Sequence, residues 1–408
     1  MKRIFTFVAL LILPVTLKAD WVQVNNGLTQ LNVNALTVST SGGVNSLWAG
    51  TSPSFNGGGV FLSTNNGDNW SLSFNDNNYE WALATSVNGG INYIFAGSSS
   101  SLVYTTNNGT NWNYTIFPNG SHWFYSLAAN GNNIFVGCKY FSSDPGGVYK
   151  SSNYGLNWVQ TSVPTCQFGD YNALAINGNN VYASGFCGTF ISTNNGTNWT
   201  QSNSSVSFLS FAISGNYIFG GGDGVYVSSN NGTNWTQTSL NNYTIYALLV
   251  YGNSVFAAGG GVWISTDNGA NWIQRVEGLG GFARSLCISN GYIYAGTDGH
   301  GIYRRPLSEL VGIRPISEEV PQDYELKQNY PNPFNPVTTF KFALPKSSHA
   351  KLTVYDLLGR TVTVIVNEQL TAGNYKISWD ASNYSSGVYF YRNQTNDFSQ
   401  VKKMVLIK

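Results

Sequence analysis

Between Trp21 and Arg305 apolar and polar residues alternate in short runs, such as YNALAI (171–176), NVYASG (180–185) and TFIS (189–192), separated by Gly, Asn and Thr. Alternation with a period of two, bounded by turn residues, predicts β-strands, and helical spacing is nearly absent. After every third run comes an octapeptide, and a fourth run starts after its Trp. The octapeptides are STNNGDNW (63–70), TTNNGTNW (105–112), SSNYGLNW (151–158), STNNGTNW (192–199), SSNNGTNW (228–235) and STDNGANW (265–272). Their tryptophans, Trp70, Trp112, Trp158, Trp199, Trp235 and Trp272, are spaced by 42, 46, 41, 36 and 37 residues. That period suits one four-stranded propeller blade. The first three strands occur seven times, the last as ARSLCIS (283–289), GYIYAG (291–296) and GIYRR (301–305), but only six octapeptides supply a fourth. WVQVNNGL (21–28) resembles the segment after each octapeptide Trp, so the N-terminal strand is expected to complete the last blade. The predicted fold is all-β: a seven-bladed β-propeller over residues 20–306, followed by a small C-terminal β-sandwich.

Composition agrees with this pattern and narrows the partners. Charged residues make up 10% of the chain and aromatics 15%, the balance of a turn-rich β protein. A net charge of +1 offers no electrostatic case for nucleic acid or anionic membrane, both of which would need a clustered basic face. Residues 1–19 read as a signal peptide cleaved after Ala19: Lys2 and Arg3 precede an apolar run from Ile4 to Leu17. That run is shorter than the roughly 20 residues needed to cross a bilayer, and the mature protein is expected to have no transmembrane segment.

The octapeptides resemble the Asp-box, S-x-D-x-G-x-[TN]-W, of sialidases, sortilin-type receptors, xyloglucan-degrading enzymes and photosystem assembly factors. Asp267 keeps the aspartate, while Asn65, Asn107, Asn153, Asn194 and Asn230 replace it. Either side chain can bond its own backbone two residues on, the Gly accepts positive φ, and the Trp packs on the sheet, so the motif is read as structural.

Beyond Pro306 the charged stretch 307–323 reads as a linker, and from Tyr324 the motifs change. Residues 324–408 resemble the type A sorting domain of the type IX (Por) secretion system. The resemblance rests on Asn332, Pro333 and Phe334, then Leu358, Gly359 and Arg360, then Gly387, Val388 and Tyr389, and on the tail with Lys402, Lys403 and Lys408. It implies a Gram-negative source, the type IX machinery as partner, and a protein that is secreted or attached to the outer-membrane surface. The four cysteines suit an oxidising destination. Cys166 and Cys187 are the disulfide candidate, with Cys138 able to compete, and Cys287 is expected to be a buried thiol. No closely spaced Cys or His set suggests a metal, and no cofactor is expected.

Function in a propeller is expected on the loops of one face. The face opposite the octapeptides should carry an acidic and aromatic rim that includes Asp76, Tyr79, Glu80, His122, Trp123, Phe124, Asp170, Asp223, Glu277, Asp298 and His300. It should also include Tyr140, Phe141, Asp144, Phe168 and Tyr171. Aligning the inner strands on their common Leu or Phe places Asn34, Trp81, Tyr125, Asn172, Leu209, Tyr246 and Arg284 at the channel mouth. Trp81, Glu80, Trp123, Tyr125, Asp170, Asn172, Tyr246 and Arg284 are the ligand-binding candidates, for a glycan or a protein ligand. The expected role is a non-catalytic binding or scaffold module. A glycoside hydrolase using loop carboxylates and a structural surface protein are the alternatives. Sialidase chemistry calls for three arginines from separate blades, whereas Arg275, Arg284, Arg304 and Arg305 all lie near the propeller's end, and no pair of carboxylates stands out by its spacing.

Overall fold

The computed structural model describes residues 20–407 apart from 53–57, 76–77, 119–121, 140–145, 165–169, 203–205, 311–313, 316–319, 371 and 382–383. The signal-peptide segment 1–19, Lys408, Cys166, Asp76, Tyr140, Phe141, Asp144 and Phe168 therefore lie outside the described residues.

Seven four-stranded antiparallel sheets form a seven-bladed propeller. Blade 1 comprises Asn32–Ser41, Val44–Ser52, Gly59–Ser63 and Ser71–Phe74. The inner strands of the next five blades are Glu80–Asn88, Trp123–Asn130, Tyr171–Asn177, Ser210–Ser214 and Ala247–Tyr251. Blade 7 takes Ala283–Ser289, Tyr292–Thr297 and Gly301–Pro306 from the end of the repeat array, and Val22–Gln23 from the N-terminus pairs with Arg304 and Tyr303. The ring closes as the repeat count requires.

Each octapeptide builds the same turn. In blade 1 the Ser63 hydroxyl donates to Asn65 Oδ1 (3.0 Å) and accepts the Gly67 N–H (2.9 Å), while Asn65 Oδ1 also accepts the Asn69 N–H (2.9 Å). Asn66 and Gly67 occupy the left-handed region at φ 61° and 83°, which Asn tolerates and Gly favours. The octapeptide indoles then reach the preceding blade. Trp112 Nε1 donates to Ser73 Oγ (3.1 Å), Trp235 to Ser202 Oγ (2.9 Å) and Trp272 to Thr238 Oγ1 (3.2 Å), all in or just after the preceding blade's outer strand. Trp70 likewise donates to the Val24 carbonyl (2.8 Å), and Trp158 turns back to its own Gly155 carbonyl (3.0 Å). Burial is uneven: Trp70 and Trp158 are 5% and 7% exposed, and the other four are half-buried.

Blade 7 has no octapeptide, and Trp21 stands in its place. It is 3% exposed and donates Nε1 to the Arg275 carbonyl (3.0 Å), three residues after Trp272, as Trp272 does to Thr238, three residues after Trp235. Leu307 and Leu310, around the 3-10 turn Leu307–Glu309, are buried with Trp21 and Tyr303.

The C-terminal unit is a sandwich of two four-stranded sheets around Phe340, Leu352, Tyr375, Trp379 and Tyr391. One sheet borrows Arg314–Pro315, which pairs with Lys376 and Tyr375. Asn332 and Phe334 hold the last strand, Ser399–Leu406: Asn332 Oδ1 accepts the Val405 N–H (2.9 Å), and Phe334, 2% exposed, exchanges backbone bonds with Val405 and Ile407. Gly359, at φ 76°, closes a hairpin in which Asp356 accepts the Leu358 and Arg360 N–H groups (2.9 Å each) and pairs with Arg360 Nε (2.6 Å). Gly387 opens a strand whose Tyr389 is 9% exposed and donates to the Ser385 carbonyl (2.8 Å). Lys402 and Lys403 lie on the last strand, half-buried and exposed.

Candidate functional site: the channel mouth

All seven inner strands line one cavity of about 200 Å³ on the propeller axis. Asn34, Tyr125, Asn172, Leu209, Tyr246 and Arg284 form its mouth. Two positions further along the strands, Leu36, Leu127, Leu174, Phe211 and Leu286 give it an apolar floor. Four of the mouth residues share a structural cause that their alignment in the sequence did not reveal. Pairing registers skip between Val33 and Ala35, Phe124 and Ser126, Tyr171 and Ala173, and Ala283 and Ser285, so Asn34, Tyr125, Asn172 and Arg284 are extra residues in β-bulges. A bulge re-aims a side chain without breaking the strand. Trp81 occupies the same position, between Glu80 and Ala82, and its side chain lies outside the described set. Leu209 and Tyr246 instead immediately precede their strands, tied by N–H bonds to the Gly221 (2.7 Å) and Ala258 (2.9 Å) carbonyls.

Two ion pairs brace opposite parts of this ring. Arg284 bonds Asp298 (2.7 Å) and lies 4.1 Å from the centre of the Tyr246 ring. Lys139 bonds Asp170 (3.2 Å) and lies 5.6 and 5.7 Å from the Trp123 and Tyr125 rings. Burial, reinforced by the Asp170 charge, pushes the Tyr125 phenol up to about 12, so it stays a neutral donor at physiological pH. Asn34 donates Nδ2 to Ser52 Oγ and to the Glu80 carbonyl (3.1 Å). Lys139 left no mark in the sequence, because nothing in its strand pattern singles it out as a partner of Asp170.

Several rim expectations need correction. Glu80 is fully buried: it lies against Gly50 of the preceding blade, where the absent side chain makes room. Phe124 and Tyr171 precede the bulge residues Tyr125 and Asn172 and are likewise buried, at 2% and 1% exposure. His122 is 1% exposed and packs against Phe117 and Tyr149, a core histidine rather than a rim group. Glu277, by contrast, stays partly exposed and pairs with Arg305 (3.2 Å). Cys187 is disulfide-bonded, and Cys138 and Cys287 carry buried thiols, that of Cys287 raised by its burial. Among the described residues no three His, Cys, Asp or Glu side chains are grouped to hold a metal, and no helix is long and apolar enough to cross a membrane.

Residues 328–408 match the family model of the secretion system C-terminal sorting domain. No curated protein matches the sequence. Among solved structures, the chain is similar to PorZ, an essential bacterial surface component of the type IX secretion system of Porphyromonas gingivalis, at 15% identity and a TM-score of 0.54. That likeness covers 91% of this chain but 59% of PorZ. YCF48 from Cyanidioschyzon merolae aligns over its whole length with 72% of this chain, at 16% identity and a TM-score of 0.56. An ancestral GH74 enzyme aligns over 63% of its length with 94% of this chain, at 16% identity and a TM-score of 0.53. At these identities the likenesses establish the propeller architecture and nothing about chemistry. The sorting domain, by contrast, identifies a route: type IX export to the cell surface or the medium.

Proposed function

We propose that this type IX cargo is a non-catalytic binding module, whose propeller presents its channel mouth to a glycan or protein ligand outside the cell. The observation that carries the reading is convergence: Asn34, Tyr125, Asn172, Tyr246 and Arg284, from five different blades, all line one cavity. Each can donate, accept or stack. Groups fixed by bulges or at strand starts on a closed ring lose little freedom when a ligand arrives, which favours recognition. The arrangement gives less support to hydrolysis. A glycosidase pair needs two carboxylates flanking the bond, one of them free to carry a proton, whereas Asp170 and Asp298 are each committed to a cation. The octapeptide turns, with their Ser–Asn–Gly bonding and inter-blade Trp, support an Asp-box assignment for the repeats, with a role in holding blades together.

The test is binding and turnover by the full exported chain on glycan and surface-protein arrays, with Tyr246→Ala and Arg284→Ala variants. Retention that falls in both variants, with no product released, is the expected result. Release of reducing ends would make the protein a hydrolase. Self-association with no captured ligand would make it a structural surface protein.

A further inference from the structure

Beside the mouth, at the junction of blades 6 and 7, two large rings stand in solvent: Tyr243 is 43% and Phe282 60% exposed. They flank Gly260. A Cβ at Gly260 would lie 3.5 Å from Tyr243 Cδ1 and 3.8 Å from Phe282 Cε1, so the glycine leaves open a slot that a side chain would occupy. Tyr243 is backed by the buried Trp263, ring centres 4.6 Å apart. The slot is also held from behind: Gly224 N–H bonds the Tyr243 carbonyl (2.9 Å), Asp298 N–H the Phe282 carbonyl (2.9 Å), and Ala283 N–H the Gly259 carbonyl (2.8 Å). Phe282 lies two residues before Arg284 and Tyr243 three before Tyr246, so the slot stands where the chain enters the strands that bring Arg284 and Tyr246 to the cavity.

The charges around the mouth limit what can bind there. Arg284 is neutralised by Asp298, and Lys139 by Asp170. An anionic ligand would have to displace a carboxylate from its cation and would meet a further carboxylate at Asp223, exposed and bridged to Thr244 beside Tyr243, while a basic one would have to displace Arg284 or Lys139 to reach Asp298 or Asp170. We infer that the propeller binds an uncharged sugar chain, with one residue at the channel mouth and a neighbouring residue stacked in the Tyr243–Gly260–Phe282 slot. A pyranose offers apolar C–H faces to flank the rings and hydroxyls for the mouth's amides and phenols, with no charge to compensate. This rests on the binding-module reading above and adds the ligand class and a second subsite.

The experiment titrates the full chain with neutral oligosaccharides of two to six units (gluco-, xylo- and manno-configured) and with oligouronates of equal length. A neutral hexamer is expected to bind about tenfold tighter than its uronate counterpart, and Gly260→Ala and Phe282→Ala are each expected to weaken it by about tenfold. The loss should grow with chain length, because only longer chains reach the slot. Gly260→Ala is the informative variant: its new methyl makes ordinary contacts, so it fills the slot without forcing the fold, and an unchanged melting curve checks this. Unchanged hexamer affinity in both slot variants, with loss in Arg284→Ala, would overturn the slot while sparing the mouth. Preference for uronates would overturn the neutral-glycan assignment. Failure of every sugar alongside Arg284-dependent capture of a protein would overturn the inference and leave the binding-module reading standing.

Discussion

Asn34, Tyr125, Asn172 and Arg284 each stand where their strand has one residue more than its partner, and each faces the axis for that reason. Their alignment was legible in the sequence because the Leu or Phe two positions on is shared by the strands. The bulge was not legible, since a register skip depends on where the neighbouring strand begins. The same skip explains why Glu80, expected at the rim, points between blades. Among the turn residues, Asp267 is the one octapeptide carboxylate in the position that Asn fills elsewhere. Burial pushes its carboxyl up, but bonds from the Asn271 N–H (2.9 Å), the Asn271 amide (2.8 Å) and Ser265 (2.8 Å) outweigh this and hold it below the usual range. A lowered folded value means stability that is present above the unfolded pKa of about 4 and lost as pH falls through the folded one. Melting curves from pH 6 down to 3 are expected to show a smaller acid-induced drop for Asp267→Asn than for the native chain. Tyr125 works at the other end of the scale. With its phenol near 12, the associated stability is complete below about 10 and lost as pH rises through 12, and Tyr125→Phe should flatten that alkaline limb.

At the level of elements, blade 7 carries the sharpest prediction. Its outer strand pairs through Val22 and Gln23, and the hold is extended by the Val24 N–H on the Ile302 carbonyl (2.8 Å) and by Asn25 Oδ1, which accepts the Ile302 N–H (2.7 Å). Trp21 adds apolar anchorage, buried among Phe256, Ile264 and Tyr303. Trp21→Ala should cost about 3 to 5 kcal/mol and speed hydrogen exchange at the Ile302 and Arg304 amides, which face the first strand. Neutralising the exposed Asp68 of the Arg304–Asp68 pair, by Asp68→Asn, should change stability by less than about 1 kcal/mol. Closure by the N-terminal strand was readable because seven sets of three strands met only six fourth strands. That Trp21 takes over the missing octapeptide's indole was half-readable: its segment resembled the run after each octapeptide Trp, but its partner, the Arg275 carbonyl, is 254 residues away in sequence. The Tyr243–Phe282 slot left no trace in strand periodicity, because its parts come from three separate loops around a glycine.

For the whole molecule, the propeller and the sorting domain answer to different residues. Asn332 and Phe334 were legible as motif anchors, and the structure gives their physical task, fastening the last strand to the sandwich. Phe334→Ala should destabilise the C-terminal unit by about 3 to 5 kcal/mol and Asn332→Ala by about 1 kcal/mol. Protease digestion should then cut within residues 324–408 while the propeller's near-ultraviolet circular dichroism is unchanged, and export should fall. The way the ring closes also bears on what happens when the protein is pulled. A load applied through the C-terminal unit enters the propeller along Gly301–Pro306, a strand clasped on one side by Tyr292–Thr297 and on the other by the chain's own first strand. The pulled strand is thus an interior one and cannot peel from an edge. It must shear against both neighbours at once, so tension is resisted where the first and last strands of the ring lie side by side.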